Sequence, residues 1–212
     1  MKLAYVMDMI KEARLLKTVC NLCNCYEKLV KEFLVNISEE CDNILSQEYH
    51  KVYVRGECVQ LSPNIINKFL GINESCVAEP KVTENQIYKE ITANQVQVWS
   101  KKGKISSGKL SVKYDILNQI GAINWVPATH SSDIATGLGK FIYFVGTKTK
   151  MNIEQYVFEQ TVKHAKTDVM KCPIAFPTLL CGIMLEQYPS IITVVDILEK
   201  GVTSHTAPQT VQ

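Results

Sequence analysis

The chain has 212 residues, 46% of them hydrophobic and 21% charged, with a formal net charge of +2. That length and balance suit one globular domain with its own core and exclude a disordered or low-complexity polypeptide. Near-neutrality excludes a strong overall field toward nucleic acid or membrane, so any basic surface must be local.

The first stretch, MKLAYVMDMIKEARLL, carries Asp8 and Glu12 inside its apolar run and has no small-residue cleavage site, which is not the pattern of a secretory leader. Leu3, Val6, Ile10 and Ala13 recur at helical spacing and predict an amphipathic helix over about residues 2–16. A second helix puts Tyr26, Leu29, Val30, Phe33, Leu34 and Ile37 on one face. Between them lie Cys20, Cys23 and Cys25. The first two have the C-x-x-C spacing with which a structural zinc site begins, but a closed site takes four ligands. No second C-x-x-C, C-x-x-H or H-x-x-x-H follows, and Cys41, His50, Cys58 and Cys76 are scattered singly. The cluster is therefore expected to be buried or half-buried helix cysteines, with no metal and no cofactor. Eight cysteines without a secretory signal read as reduced thiols, not as a disulfide framework.

NISEECDNILSQEY is a polar surface loop, and a hairpin follows at about 51–61. Val52 and Val54 alternate with Tyr53 and Arg55, Val59 and Leu61 with Cys58 and Gln60, and Gly56 supplies the tight turn. Ser62 before Pro63 predicts a helix start, Ile65, Ile66, Phe69 and Leu70 its apolar face, and Gly71 its end. Thr83 with Gln86 marks a capping box.

WSKKGKISSGKLSVKY holds Lys101, Lys102, Lys104, Lys109 and Lys113 between Trp99 and Tyr114, with no acid before Asp115. Lysines in such a run can neutralise phosphates, and an exposed aromatic can stack on a base. The rival reading is a solvated loop and helix face with both aromatics in the core. A helix is expected from Ser106 or Ser107, with Leu110, Tyr114, Leu117 and Ile120 inward and Lys109 and Lys113 together on its other side. Ser131 or Ser132 should cap the next helix, whose stripe is Ile134, Leu138, Phe141, Ile142 and Val145. Another helix carries Ile153, Tyr156, Val157 and Phe158. CPIAFPTLLCGIMLEQYP is apolar nearly all round and predicts a buried helix after Pro177, placing Leu179, Leu180 and Ile183 in the core. Both long apolar runs fall short of the ~20 residues that cross a bilayer. The pattern fades beyond Pro189, and the last residues read as a frayed tail.

The chain lacks the phosphate-loop, nucleophile-elbow and H-E-x-x-H patterns. Asp115, Asp133, Glu154 and Asp168 are the acids available for two-metal strand transfer, and nothing around them distinguishes them from caps and surface charges. Asp133 is expected in a helix first turn. His130 and His164 stand alone, and Cys172 and Cys181 lie in apolar surroundings that argue for inert thiols.

Five stretches in order, YHKVYVRGECVQLSPNIINKFLG, ITANQVQVW, GKLSVKYDILNQIGAINWVPATH, IATGLGKFIYFVGTKTK and PIAFPTLLCGIML, resemble the putative plant transposon protein domain. The resemblance rests on Arg55-Gly56, Ser62-Pro63, Phe69-Leu70-Gly71, Trp99, Leu110 to Tyr114, Asn124-Trp125, Gly146 to Thr149 and Pro173 to Pro177, and it runs from about Met9 to about Pro189. It implies an origin in plant mobile elements and carries over no catalytic residue. Relatives have a longer stretch ahead of the first helix, so a truncated element product is one expectation.

The reading is thus a mainly α (α+β) fold, a single helical domain with one short β-hairpin packed on the helices. Residues 1–189 form the domain and 190–212 a partly disordered tail. Its expected role is non-catalytic, binding nucleic acid through Lys101, Lys102, Lys104, Lys109, Lys113 and Trp99, or assembling with itself or another element-encoded protein. The alternatives are a metal-dependent nuclease or strand-transferase and an inactive relic. The expected setting is intracellular, nucleus or cytoplasm, without membrane.

Overall fold

The computed structural model describes residues 2–19, 25–72, 81–96, 104–126, 133–166 and 174–197. Helix α1 (Lys2–Glu12) buries Val6, Met9 and Ile10. It ends short of the expected residue 16 because Arg14 turns left-handed at φ 58, with its N–H on Lys11 O and the Leu15 N–H on Ile10 O. Glycine usually supplies that closing turn. A single turn, α2 (Leu16–Val19), follows, and α3 (Glu27–Val35) buries Leu29, Val30, Phe33 and Leu34. Cys25 corrects the expectation of buried helix cysteines: it precedes α3 and is exposed. Cys20 and Cys23 lie outside the described residues.

The hairpin is as expected, with β1 (Lys51–Val54) antiparallel to β2 (Glu57–Gln60) and Val54 opposite Glu57. Arg55 and Gly56 form the two-residue turn at φ 55 and 84, the positive pair that matches strand twist. Val52, Val54 and Val59 face the core, and Tyr53 faces out. In α4 (Pro63–Leu70) the Ser62 hydroxyl accepts the Ile65 N–H at 3.2 Å, and Gly71 at φ 75 closes the helix. The capping box of Thr83 and Gln86 opens α5 (Glu84–Ile91).

A second two-stranded ladder, which periodicity did not announce, pairs β3 (Lys104–Ser106) with β4 (Asp133–Ala135), Ile105 opposite Ile134. Three-residue strands are too short to show alternation. The ladder also shifts two expected boundaries. Ser107–Lys109 is a 3₁₀ turn, and α6 (Val112–Asn124) starts only after Ser111. Serines and Gly108 are weak helix formers, so they give way to a turn. Asp133 stands in β4, not in a helix first turn, and α7 (Thr136–Thr147) follows directly. Ser131 and Ser132 lie outside the described residues.

Asn152 caps α8 (Ile153–Ala165) by accepting the Gln155 N–H at 2.9 Å, and Pro177 opens α9 (Pro177–Gln187). Every core residue expected on the last helices is buried: Leu138, Phe141, Ile142, Val145, Leu179, Leu180 and Ile183. The buried apolar residues form one cluster. In it α6 lies along α7 with α1 and α5 beside them, while α4 packs on α8 and α9, and α3 also meets α8 and α9. Turn α2 touches both α6 and α9. Aromatic side chains lie on helical glycines, among them Tyr114 of α6 on Gly146, Phe69 of α4 on Gly182 and Trp125 on Gly121.

Packing continues past Pro189. Ile191 and Asp196 are buried against the hairpin, and both hairpin edges are occupied by side chains. Gln187 bonds Gln60 N–H and C=O at 2.8 and 3.0 Å, Tyr188 donates to Cys58 O at 3.0 Å, and on the far edge Asn36 donates to Tyr53 O at 2.8 Å.

Candidate nucleic-acid interface

The lysine run divides into three. Trp99, Lys101 and Lys102 lie outside the described residues, and Lys104 is placed by its backbone at the start of β3. Lys109 is exposed in the 3₁₀ turn just before α6. The expectation that Lys109 and Lys113 share one helical face is corrected, because the helix starts only at Val112 and Lys109 stands before it. Lys113 is half-buried, donating to Gly146 O at 3.1 Å at the end of α7, 3.6 Å from Glu90 and 4.4 Å over the Tyr114 ring. A cation there complements the negative end of α7, so its charge is used inside the fold.

Tyr114 is buried, as the inward stripe required, and cannot stack on a base. Its hydroxyl donates to Glu90 at 3.1 Å. Burial, with the Glu90 carboxylate beside it, holds its phenol well above the usual range. Of the run's lysines with a described side chain, Lys109 is exposed and Lys113 is half-buried.

Of the acids weighed for metal chemistry, Asp115 and Glu154 have described side chains and stand apart on α6 and α8. Asp115 accepts from Gln119 at 3.0 Å on α6, Glu154 is buried in the first turn of α8, and Asp168 lies outside the described residues. Among the described residues no three His, Cys, Asp or Glu side chains are grouped to hold a metal ion. His164 sits half-buried on α8, its imidazole pKa lowered by burial, and His130 and Cys172 lie outside the described residues. Cys181 is buried in α9.

Sequence reasoning missed the strongest polar centre, which surrounds Arg55. Its guanidinium donates to Glu32 at 2.7 and 3.1 Å, to Asp196 at 2.5 and 3.0 Å and to Ile191 O at 2.9 Å. Asp196 also accepts the N–H and hydroxyl of Thr193, at 2.7 and 2.8 Å. Hydrogen bonds from Arg55 hold its carboxyl far below the usual carboxylate range, against the opposing effect of burial. This centre is structural, since every donor of Arg55 is spent on the chain itself. Also missed were Arg14, Lys17 and Lys68, which gather at the end of α4. No local pattern announces this, because the bonds that bring Arg14 and Lys17 to Gly71 and Phe69, beside Lys68, span 57 and 52 positions.

The described residues thus form a mainly helical fold with two small ribbons and a polar centre committed to holding the chain together. A family model, the putative plant retrotransposon-related domain, matches residues 11–187, and the chain belongs to that family. No curated protein and no solved structure matches it.

Proposed function

We propose that this chain is a non-catalytic domain of a retrotransposon-related plant protein that binds nucleic acid through its phosphates, using Lys101, Lys102, Lys104 and Lys109. Lys109 carries the reading. It is exposed, has no partner among the described residues, and stands just before the N-terminus of α6, where no side chain caps the first-turn N–H groups. That helix end is the positive one, so both features favour an anion. The commitment of Glu32, Glu90 and Asp196 to partners within the fold supports the non-catalytic part. Lysines are point charges without base-reading geometry, so binding is weak, sequence-tolerant and salt-sensitive.

The test is retention on single- and double-stranded nucleic acid across a salt series, for the parent, for Lys101→Gln/Lys102→Gln/Lys104→Gln and for Lys109→Gln. The triple variant should lose affinity for all sequences alike, with the salt slope on duplex DNA reduced by about 0.9 per lost contact. Equal binding by the parent, the triple variant and Lys109→Gln sinks the reading.

A second reading, self-association or docking with another element-encoded protein, is favoured by the turn at 194–197. There Asp196 is the buried residue, while Val194, Val195 and Ile197 are 72%, 47% and 59% exposed. Light scattering on the parent and on Val194→Ser/Ile197→Ser tests it: a parent that is monomeric at all concentrations removes the self-association arm. No helix among the described residues is long and apolar enough to cross a membrane. An intracellular setting, nucleus or cytoplasm, goes with the nucleic-acid reading.

A further inference from the structure

We propose that Arg14, Lys17 and Lys68 form a second phosphate-binding surface, at the C-terminal end of α4, that docks the backbone of a nucleic-acid strand. The proposal deepens the nucleic-acid reading above but stands on different residues.

Three exposed cations from two distant parts of the chain meet at this helix end. Arg14 Nη1 donates to Gly71 O at 3.2 Å. Lys17 donates to Phe69 O, and its ammonium lies 4.9 Å from the Phe69 ring centroid. Lys68 occupies the last turn of α4 itself. Capping explains one N–H from each of Arg14 and Lys17 and nothing of Lys68. A helix C-terminus carries about half a negative charge, against three unit positive charges here. Among the described residues no carboxylate pairs with any of the three. Glu12, the acid nearest Arg14 in sequence, is taken by Lys148 at 2.8 and 3.0 Å. Lys11, exposed in the last turn of α1, adds a further positive charge close to Arg14 in the chain. Among the described residues the site is therefore positive, although the whole chain is nearly neutral.

The cations are also held in place. Backbone carbonyls fix the two heads that come from the α1–α2 segment, and the Phe69 ring supports one of them, so less side-chain freedom is lost on binding. Arg14 itself stands at φ 58, the closing position that glycine fills most easily. Arg14 is exposed and spends one donor on Gly71 O, and the planar fork of a guanidinium suits a phosphate. An acidic protein partner would ordinarily also seek an apolar anchor. Leu70 beside the cations is buried and Phe69 and Ile72 are partly covered, so the surface offers charge without such an anchor. A uniformly charged backbone fits it better.

The experiment uses the full chain with mixed-sequence duplex DNA and single-stranded RNA over a salt series, and poly-glutamate as the competing polyanion. Lys68→Gln breaks no hydrogen bond, and Arg14→Gly suits the local backbone, so melting curves should show both variants folded. Lys68→Gln alone should lower the duplex salt slope by about 0.9, and Arg14→Gly/Lys17→Gln/Lys68→Gln by about three times that. Slopes unchanged in both variants, or tighter retention on poly-glutamate than on nucleic acid at equal salt, overturn the proposal. Loss here with no loss in the Lys101/Lys102/Lys104 variant or in Lys109→Gln sinks the reading on those four lysines and leaves this one standing. The converse sinks this one alone, and a parent that binds no nucleic acid sinks both.

Discussion

Arg55 and Asp196, 141 positions apart, meet in a two-pronged ion pair that ties the hairpin turn to the segment after α9. Asp196 is fully covered, whereas Glu32, the other carboxylate on Arg55, is 35% exposed. The two acids should therefore respond differently when the arginine goes. Arg55→Met leaves Asp196 buried without its cation and should cost about 3–5 kcal/mol, while Glu32 regains water. Arg55→Met with Asp196→Leu removes both charges and should recover part of that loss. Denaturant unfolding at neutral pH measures both, and an additive double variant refutes the pairing.

Acid should destabilise the protein in two stages. Burial lowers the imidazole pKa of His50 and His164, so the unfolded chain takes up these protons first, and stability falls as pH drops through about 6.5. Asp196 is held low by Arg55, so its contribution is complete above the ordinary carboxylate value and is lost as pH falls below about 4. Asp196→Asn should flatten the lower stage and leave the upper one. Unfolding midpoints at pH 7.5, 5.5 and 3 decide it, and an unchanged lower stage in the variant would contradict the assignment.

Gly146 meets the Tyr114 ring so closely that an added methyl would overlap it. Glycine to alanine within a helix normally gains about 1 kcal/mol, but overpacking costs about 1–3, so Gly146→Ala should destabilise. Gly108→Ala is the control, since its methyl would meet only the Ser106 hydroxyl oxygen at 3.8 Å. Thermal melts of the two variants should shift apart, and equal shifts would mean that Tyr114 moves aside freely.

Thr18 and Trp125 are both fully buried, and the indole N–H donates to the Thr18 hydroxyl at 2.7 Å. Thr18→Val keeps the shape but strands that donor, at a cost of about 1–3 kcal/mol. Thr18→Ser keeps the acceptor and should cost less. Chemical denaturation ranks them, and a valine variant as stable as the serine one would rule out the bond as a contributor.

Strong local signals were legible. The Val52/Val54/Val59 alternation, Gly56, the Ser62–Pro63 start, the Thr83–Gln86 box and the stripe from Leu138 to Val145 all lie within short windows whose physics is complete in itself, whereas Ile134, expected to begin that stripe, belongs to β4. The second ladder was hidden because it joins residues about 30 apart through strands shorter than one full alternation. For the candidate surface, Lys109 could be found as a charge, but the inward commitment of Lys113 depends on where α7 ends. Arg14 and Lys17 carry no local signal, because the carbonyls that they meet lie more than fifty positions away, at the end of α4.

The side chains that close the hairpin edges have a consequence for synthesis. Asn36 precedes the strands, but Gln187, Tyr188 and Asp196 leave the ribosome well over a hundred residues after β2. A two-stranded ribbon alone is barely stable in water. Through most of translation its outer edge stands bare, and the nascent chain must wait for its last segment before the turn can lock. A product cut at the end of α9 would keep nearly every core side chain and still lose that lock. Such a truncation should behave as an incompletely sealed intermediate, open to strand pairing with its neighbours.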